Sequence, residues 1–209
     1  EQWVVDAYAT GPFQLANRTH ELVLGASWSR SETVDESRYG RGIGNPLPPL
    51  NEWDGNYPKP AFDNGVGGSD WTDRETSTYA AARWTLTDQL TAITGLRLTW
   101  LDNKGESYGA TKESSYDAVE TPYAGLIYDI NDDHSVYASY TDIFTPQTSR
   151  DFSDKPLEPI VGENYEVGIK GEYFNGALNA SLAVFQIDQK NRATLPDSQV
   201  GCPITACYE

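Results

Sequence analysis

Tyr165-Glu166-Val167-Gly168-Ile169-Lys170-Gly171-Glu172-Tyr173, turned by Asn175-Gly176 into Leu178-Asn179-Ala180-Ser181-Leu182-Ala183-Val184, is a hairpin written out in full. On the first arm Tyr165, Val167, Ile169, Gly171 and Tyr173 alternate with Glu166, Lys170 and Glu172. On the second, Leu178, Ala180, Leu182 and Val184 alternate with Asn179 and Ser181. A period of two places the apolar set on one face and the polar set on the other, and Asn-Gly between such runs is the strongest short-range hairpin signal.

Three more hairpins of the same kind precede it. Residues 2–13 put Trp3, Val5, Ala7 and Ala9 on one face. Residues 19–29 answer across Ala16-Asn17-Arg18 with His20, Leu22, Leu24, Ala26 and Trp28. Residues 75–86 and 90–103 pair across Thr87-Asp88-Gln89, with Ala80, Ala82, Trp84 and Leu86, then Leu90, Ala92, Leu96, Leu98 and Trp100, opposite Arg83 and Arg97. Residues 116–130 and 134–144 pair across Asn131-Asp132-Asp133. Between the hairpins the connections are long, over about 31–70, 103–115 and 146–161. Strands of ten residues or more, with short turns on one rim and long loops on the other, are the pattern of an outer-membrane β-barrel. The expected fold is therefore all-β, with about eight antiparallel transmembrane strands. An arginine on the lipid side at mid-bilayer costs about 2–4 kcal/mol, so Arg83 and Arg97 are predicted to face the lumen.

Composition agrees once the pattern is known. A hydrophobic share of 38% reads as soluble for a helical protein, but a barrel strand shows lipid only every second residue. Six Trp and thirteen Tyr suit interfacial girdles and binding loops. A net charge of -16 excludes a nucleic-acid partner, since no basic stripe exists to displace phosphate counterions. The acidic residues sit mainly in loops and turns, which reads as a solvated rim; contact with outer-membrane lipid and lipopolysaccharide is the other reading. Cys202 and Cys207 are the two cysteines. Their spacing suits one small disulfide of an oxidising compartment, free thiols being the alternative.

Catalysis finds no support. His20 and His134 fall near turns without a nucleophile beside them, Asp132-Asp133 is a turn former, and Gly40 to Gly44 lacks the Lys-Ser/Thr of a phosphate loop. With short turns on the periplasmic side, both chain ends of an eight-strand set lie on the outer rim, and no leader segment is visible. The expectation is a single partial barrel domain over residues 1–209, an open sheet rather than a closed small barrel.

Several stretches resemble a known family: Gly11-Pro12-Phe13-Gln14-Leu15 with Arg18-Thr19-His20-Glu21-Leu22; Thr121-Pro122-Tyr123-Ala124-Gly125-Leu126-Ile127-Tyr128-Asp129-Ile130-Asn131; Val136-Tyr137-Ala138-Ser139-Tyr140-Thr141-Asp142-Ile143-Phe144-Thr145-Pro146-Gln147; and Gly162 to Glu172 with Leu178 to Phe185. They are similar to the barrel of TonB-dependent ferric siderophore receptors, in the branch that takes hydroxamate siderophores of the coprogen and pyoverdine kind. The resemblance implies an incomplete section of a barrel of about 22 strands with a plugged lumen. It also implies partnership with TonB through an N-terminal region absent here, iron transport rather than turnover, and no resident cofactor. A ferric siderophore already satisfies its iron, so the receptor grips an organic shell with aromatic faces and a few donors. The candidate siderophore-binding residues are Tyr39, Trp53, Tyr57, Trp71, Arg83 and Tyr108. A plug-free porin and a secreted β-sandwich binding module are the competing readings.

Overall fold

The computed structural model describes residues 1–38, 40–41, 49–52, 55, 61–62, 64–65, 67–203 and 206–209. In chain order its strands are Gln2–Leu15 (β1), Arg18–Glu36 (β2), Gly40–Arg41 (β3), Ala61–Phe62 (β4), Gly68–Thr85 (β5), Leu90–Ser107 (β6), Ala110–Asn131 (β7), His134–Thr145 (β8), Ile160–Tyr173 (β9) and Leu178–Lys190 (β10). Eight of them form one antiparallel sheet in the order β1-β2-β5-β6-β7-β8-β9-β10, while β3 and β4 pair separately. The order is a meander: tight turns join β1 to β2, β5 to β6, β6 to β7, β7 to β8 and β9 to β10, and the longer connections from β2 to β5 and from β8 to β9 also return the chain to the adjacent position in the sheet.

The turns carry their own chemistry. Ala16 and Asn17 both take positive φ, 51° and 57°, matching the twist of the flanking strands. The Thr87 hydroxyl accepts from the amides of Gln89 (3.2 Å) and Leu90 (2.9 Å). Asn131 Oδ1 accepts from the amides of Asp133 (3.0 Å) and His134 (2.9 Å).

Register decides which residues share a face. Arg83 stands opposite Glu21 and Ile93, and Arg97 opposite Tyr79 and Thr121. Following the pairs across the sheet, one face carries Tyr8, Ser27, Glu75, Tyr79, Arg83, Arg97, Tyr123, Tyr137, Glu166 and Lys170. The other carries Val5, Leu24, Trp28, Ala80, Leu96, Trp100, Leu126, Ala138, Val167 and Leu182. Both arginines thus lie on the polar, lumenal face. Among the described residues the only buried apolar side chains are Ala82 and Cys207, while Trp3, Val5, Leu126, Val167, Leu182 and Val184 are exposed. No dry core lies between layers, so the β-sandwich reading fails; the apolar face needs lipid. β1 and β10 stand at opposite edges of the sheet, which also removes the small closed barrel.

Two loop boundaries differ from expectation. Residues 103–115 are not a long loop: β6 runs to Ser107, β7 starts at Ala110, and Tyr108-Gly109 (φ 50° and 77°) turns between them. Likewise β2 continues to Glu36 and β5 begins at Gly68. These extensions are polar on both faces because both are wet, so no alternation marks them, while backbone pairing holds them as a ribbon beyond the membrane.

Candidate functional site

The outer end of the lumenal face builds a continuous polar wall. Alternation along β5 presents Trp71, Asp73 and Glu75; on β6 Asn103 pairs with Asp73 and Leu101 with Glu75, and Thr99 and Arg97 follow on the same face. On β7 the parity changes. Ala118 takes positive φ (48°) and the register shifts between Thr99 and Leu101, so even-numbered Tyr116 and Ser114 join odd-numbered Tyr123 on one face. This bulge re-aims the outer half of the strand; Tyr116, Ser114 and Lys112 owe their lumenal position to it.

A cleft of about 370 Å³ lies here, lined by Trp71, Asp73, Asn103, Lys112, Ser114 and the 146–148 segment. A second of about 370 Å³ continues it toward Glu75, Arg97 and Thr121, the two sharing Leu101 and Pro146. Trp71 Nε1 donates to Asp73 Oδ2 at 3.1 Å, and Asn103 Nδ2 donates to the other oxygen of Asp73. Lys112 Nζ donates to Thr148 Oγ1 at 3.2 Å, and the Tyr116 hydroxyl donates to the Gln147 carbonyl at 3.1 Å. Arg97 is bound to Glu75 at 2.6 Å. The wall thus offers an indole face, donors already oriented by partners, and both signs of charge. That mixture fits a polar, bulky organic ligand.

The rim above is ordered by residues 146–159, 191–203 and 206–209. Arg150 donates to the Asp154 carbonyl (2.7 Å), Asp151 Oδ1 accepts from the amides of Ser153 (2.7 Å) and Lys155 (3.0 Å), and the Tyr208 amide reaches the Arg150 carbonyl (2.8 Å). The Lys155 and Ser153 amides hold the Asp151 carboxyl below its ordinary range, with partial desolvation opposing them. Cys202 and Cys207 are joined, and the Gln199 side chain brackets the Cys207 backbone, donating to its carbonyl (3.0 Å) and accepting from its amide (2.8 Å).

Of the residues singled out from sequence, Trp71 lines the cleft. Arg83 faces the same lumen twelve positions further along β5, roughly 40 Å away at strand rise, while Arg97 lines the adjoining cleft. Tyr108 sits at the β6–β7 tip with its hydroxyl on Ser37 Oγ (2.6 Å) and its amide on the Gly68 carbonyl (2.7 Å), above the cleft rather than in it. Tyr39, Trp53 and Tyr57 lie outside the described residues. Sequence reasoning passed over Asp73, Asn103, Lys112 and Tyr116. Asp73 was findable as Trp71 plus two; Tyr116 and Lys112 were not, because the bulge inverts the parity from which their facing would be read.

Residues 1–207 match the family described as TonB dependent receptor-like, beta-barrel. The chain is 44% identical over 192 residues to the ferripyoverdine receptor of Pseudomonas aeruginosa, covering 90% of this chain and 23% of that protein. It is 39% identical over 212 residues to the ferric-pyoverdine 358 receptor of Pseudomonas putida, covering 93% and 25%. The crystal structure of the P. aeruginosa outer-membrane ferripyoverdine receptor bound to ferripyoverdine superposes with a TM-score of 0.84 at 39% identity, over 100% of this chain and 28% of that one. The alcaligin outer-membrane receptor of Bordetella pertussis gives 0.76 at 31% identity, over 100% and 33%. The chain therefore spans about a quarter of the length of the curated relatives it matches. On its matched length, strand order and two-faced sheet, this chain belongs to the TonB-dependent receptor-like β-barrel family, and its eight strands are a section of an outer-membrane barrel wall.

Proposed function

We propose that the protein carrying this chain is a ferric-siderophore receptor of the pyoverdine class, and that these eight strands form part of the lumenal wall and outer rim that hold the ligand before TonB-driven passage. The observation that carries the reading is the outer lumenal cleft of Trp71, Asp73, Asn103 and Lys112 in a chain 44% identical to a ferripyoverdine receptor. The ferric ion stays inside its chelate, so the wall addresses the organic shell: Trp71 stacks on a flat apolar or chromophoric part, Lys112 meets an anionic or carbonyl group, and the Asp73–Asn103 pair fixes orientation. Tyr39, Trp53 and Tyr57, on the connection between β2 and β5, are proposed as further aromatic contacts. Coupling to TonB falls to parts of the protein outside this chain.

The test is iron uptake by the intact receptor in an iron-starved, receptor-deficient strain, supplied with a panel of radiolabelled ferric siderophores. A pyoverdine is expected to be taken up, and the W71A/K112A receptor to bind it about tenfold more weakly, near 1.4 kcal/mol. Uptake of no panel member refutes the receptor reading. Normal binding by the double variant refutes this cleft while leaving the class intact.

A further inference from the structure

One row of the lumenal wall carries acceptors that lack donors. Asp73 of β5 is directly paired with Asn103 of β6, and Asn103 in turn with Ser114 of β7, all three lining the outer cleft. Asp73 takes hydrogen bonds from two neutral groups, the Trp71 indole and the Asn103 amide, and among the described residues no cation pairs with it. The nearby cations are engaged elsewhere: Lys112 donates to Thr148 Oγ1, and Arg97 in the adjoining cleft is bound to Glu75.

A carboxylate only accepts, so the amide of Asn103 must turn its Nδ2 to Asp73, and its Oδ1 is the end left over. That oxygen and Ser114 Oγ are both buried without a hydrogen-bond partner, and Ser114 as a whole is 6% exposed. Buried polar atoms are nearly always paired. Two unpaired ones on neighbouring residues of a single row, beside a carboxylate without a counter-ion, mark a place where the partner comes from outside the chain.

Donor counts say what that partner is. The oxygens of a ferric chelate are acceptors, so this row addresses the organic shell and not the groups that bind iron. A hydroxyl or a peptide amide brings one proton. A primary ammonium brings three donors, no acceptor and a positive charge, which answers a carboxylate, an amide oxygen and a hydroxyl oxygen together. Its compact, strongly hydrated charge is costly to desolvate, and a full set of acceptors offsets that cost.

We propose that Asp73, Asn103 Oδ1 and Ser114 Oγ form a subsite for a free primary ammonium on the organic shell of the ferric siderophore, and that the row selects amine-bearing siderophores over acylated ones. The inference rests on the receptor reading above and adds the class of side group that the wall selects. The bulge at Ala118 is part of the subsite, because with unbroken alternation Ser114 would face the other side of the sheet and the third acceptor would be missing.

The test uses the intact receptor in outer-membrane fractions, with ferric pyoverdines whose peptide carries a free side-chain amine, each compared with its N-acetylated form. The chelate is the same in both, and equilibrium binding of the radiolabelled complexes is measured. The parent is expected to bind the amine form about tenfold more tightly than the acetylated form, and D73N and S114A each to reduce that ratio to about two- to threefold. A merely structural lesion would weaken both forms together and keep the parent ratio. Melting without ligand is the second readout: S114A should melt at or above the parent temperature, since it removes a buried hydroxyl that has no partner. Equal binding of the two forms by the parent overturns the subsite and leaves the pyoverdine class intact. So does a parent-like ratio in D73N/S114A, or a lowered melting temperature in S114A, which would show that the hydroxyl already has a partner. Binding of neither form overturns the receptor reading and this one with it.

Discussion

A methyl group added at Gly95 should destabilise the receptor when Tyr123 is present and stabilise it when Tyr123 is gone. The two residues are directly paired across β6 and β7 on the lumenal face, and the outer end of the tyrosine ring lies against the glycine. A Cβ at Gly95 would fall under 3.0 Å from the ring. The same arrangement recurs at Gly25 beneath Tyr79 and at Gly168 beneath Tyr137, so it is a construction device of this wall rather than one accident. Two terms set the magnitude. Displacing the ring from its seat costs about 1–3 kcal/mol, the usual range for overpacking. Replacing glycine by alanine within a strand returns about 0.5–1 kcal/mol of backbone entropy. Gly95→Ala alone should therefore cost up to about 2.5 kcal/mol, with about 1 kcal/mol at mid-range, whereas in a Tyr123→Ala background it should gain about 0.5–1 kcal/mol. The difference is a coupling of about 1–3 kcal/mol, in the range found for touching residues. The assay is a double-mutant cycle on the intact receptor in detergent, by thermal unfolding with circular dichroism. The change of sign is the critical observation. Equal destabilisation by Gly95→Ala in both backgrounds would mean that the glycine is required by its own backbone and that the ring-over-glycine account is mistaken.

Three further outcomes follow from the geometry. His20, buried with Phe13 and Trp84 at ring distances of 5.2 and 5.5 Å, accepts from the Thr85 amide at Nδ1 (3.0 Å) and donates from Nε2 to the Leu15 carbonyl (3.1 Å). His20→Phe keeps the packing but orphans the amide and should cost about 1–3 kcal/mol in thermal unfolding; no change would show that water replaces the imidazole. Reducing Cys202–Cys207, or C202S/C207S, should raise deuterium uptake at the amides of Cys207, Tyr208 and Glu209 and leave β9 and β10 unaltered, because the backbone bonds of Tyr208 and Glu209 reach Arg150 and Thr194, which lie outside those strands. Uptake spreading into β10 would contradict that local role. Asp151 has a folded pKa below its ordinary 3.8, so its ordering of the 151–155 turn is fully present above that value and disappears as pH falls through the lower folded value. A spin label at position 152 should become more mobile only in strongly acid solution. The D151A receptor should be mobile at every pH, and an acid response preserved in D151A would assign the titration to another group.

Much of this was legible in the residues. Strands with one apolar and one polar face carry their period openly in Tyr165 to Val184, and the turns at Ala16-Asn17 and Asn131-Asp132-Asp133 use residues whose local bonds or tolerance of positive φ mark them without any tertiary help. Sequence also sent Arg83 and Arg97 to the lumen, since lipid excludes them. It failed where both faces of a strand are wet: over 31–36, 68–74 and 103–115 there is no apolar period to read, so ribbon and loop look alike.

What the chain determined by itself is the sheet: which segments are strands, where they turn, and which side meets hydrocarbon, because each is fixed by residues within ten or so positions of one another. The binding wall was decided only by the folded structure. A single bulged residue at Ala118 moves Tyr116, Ser114 and Lys112 to the lumen, and register brings Asp73 to Asn103 from far along the chain. Those juxtapositions are sums of turn lengths and register shifts. A one-residue slip in any of them sends a side chain to the opposite face, so no local stretch of sequence can record the result.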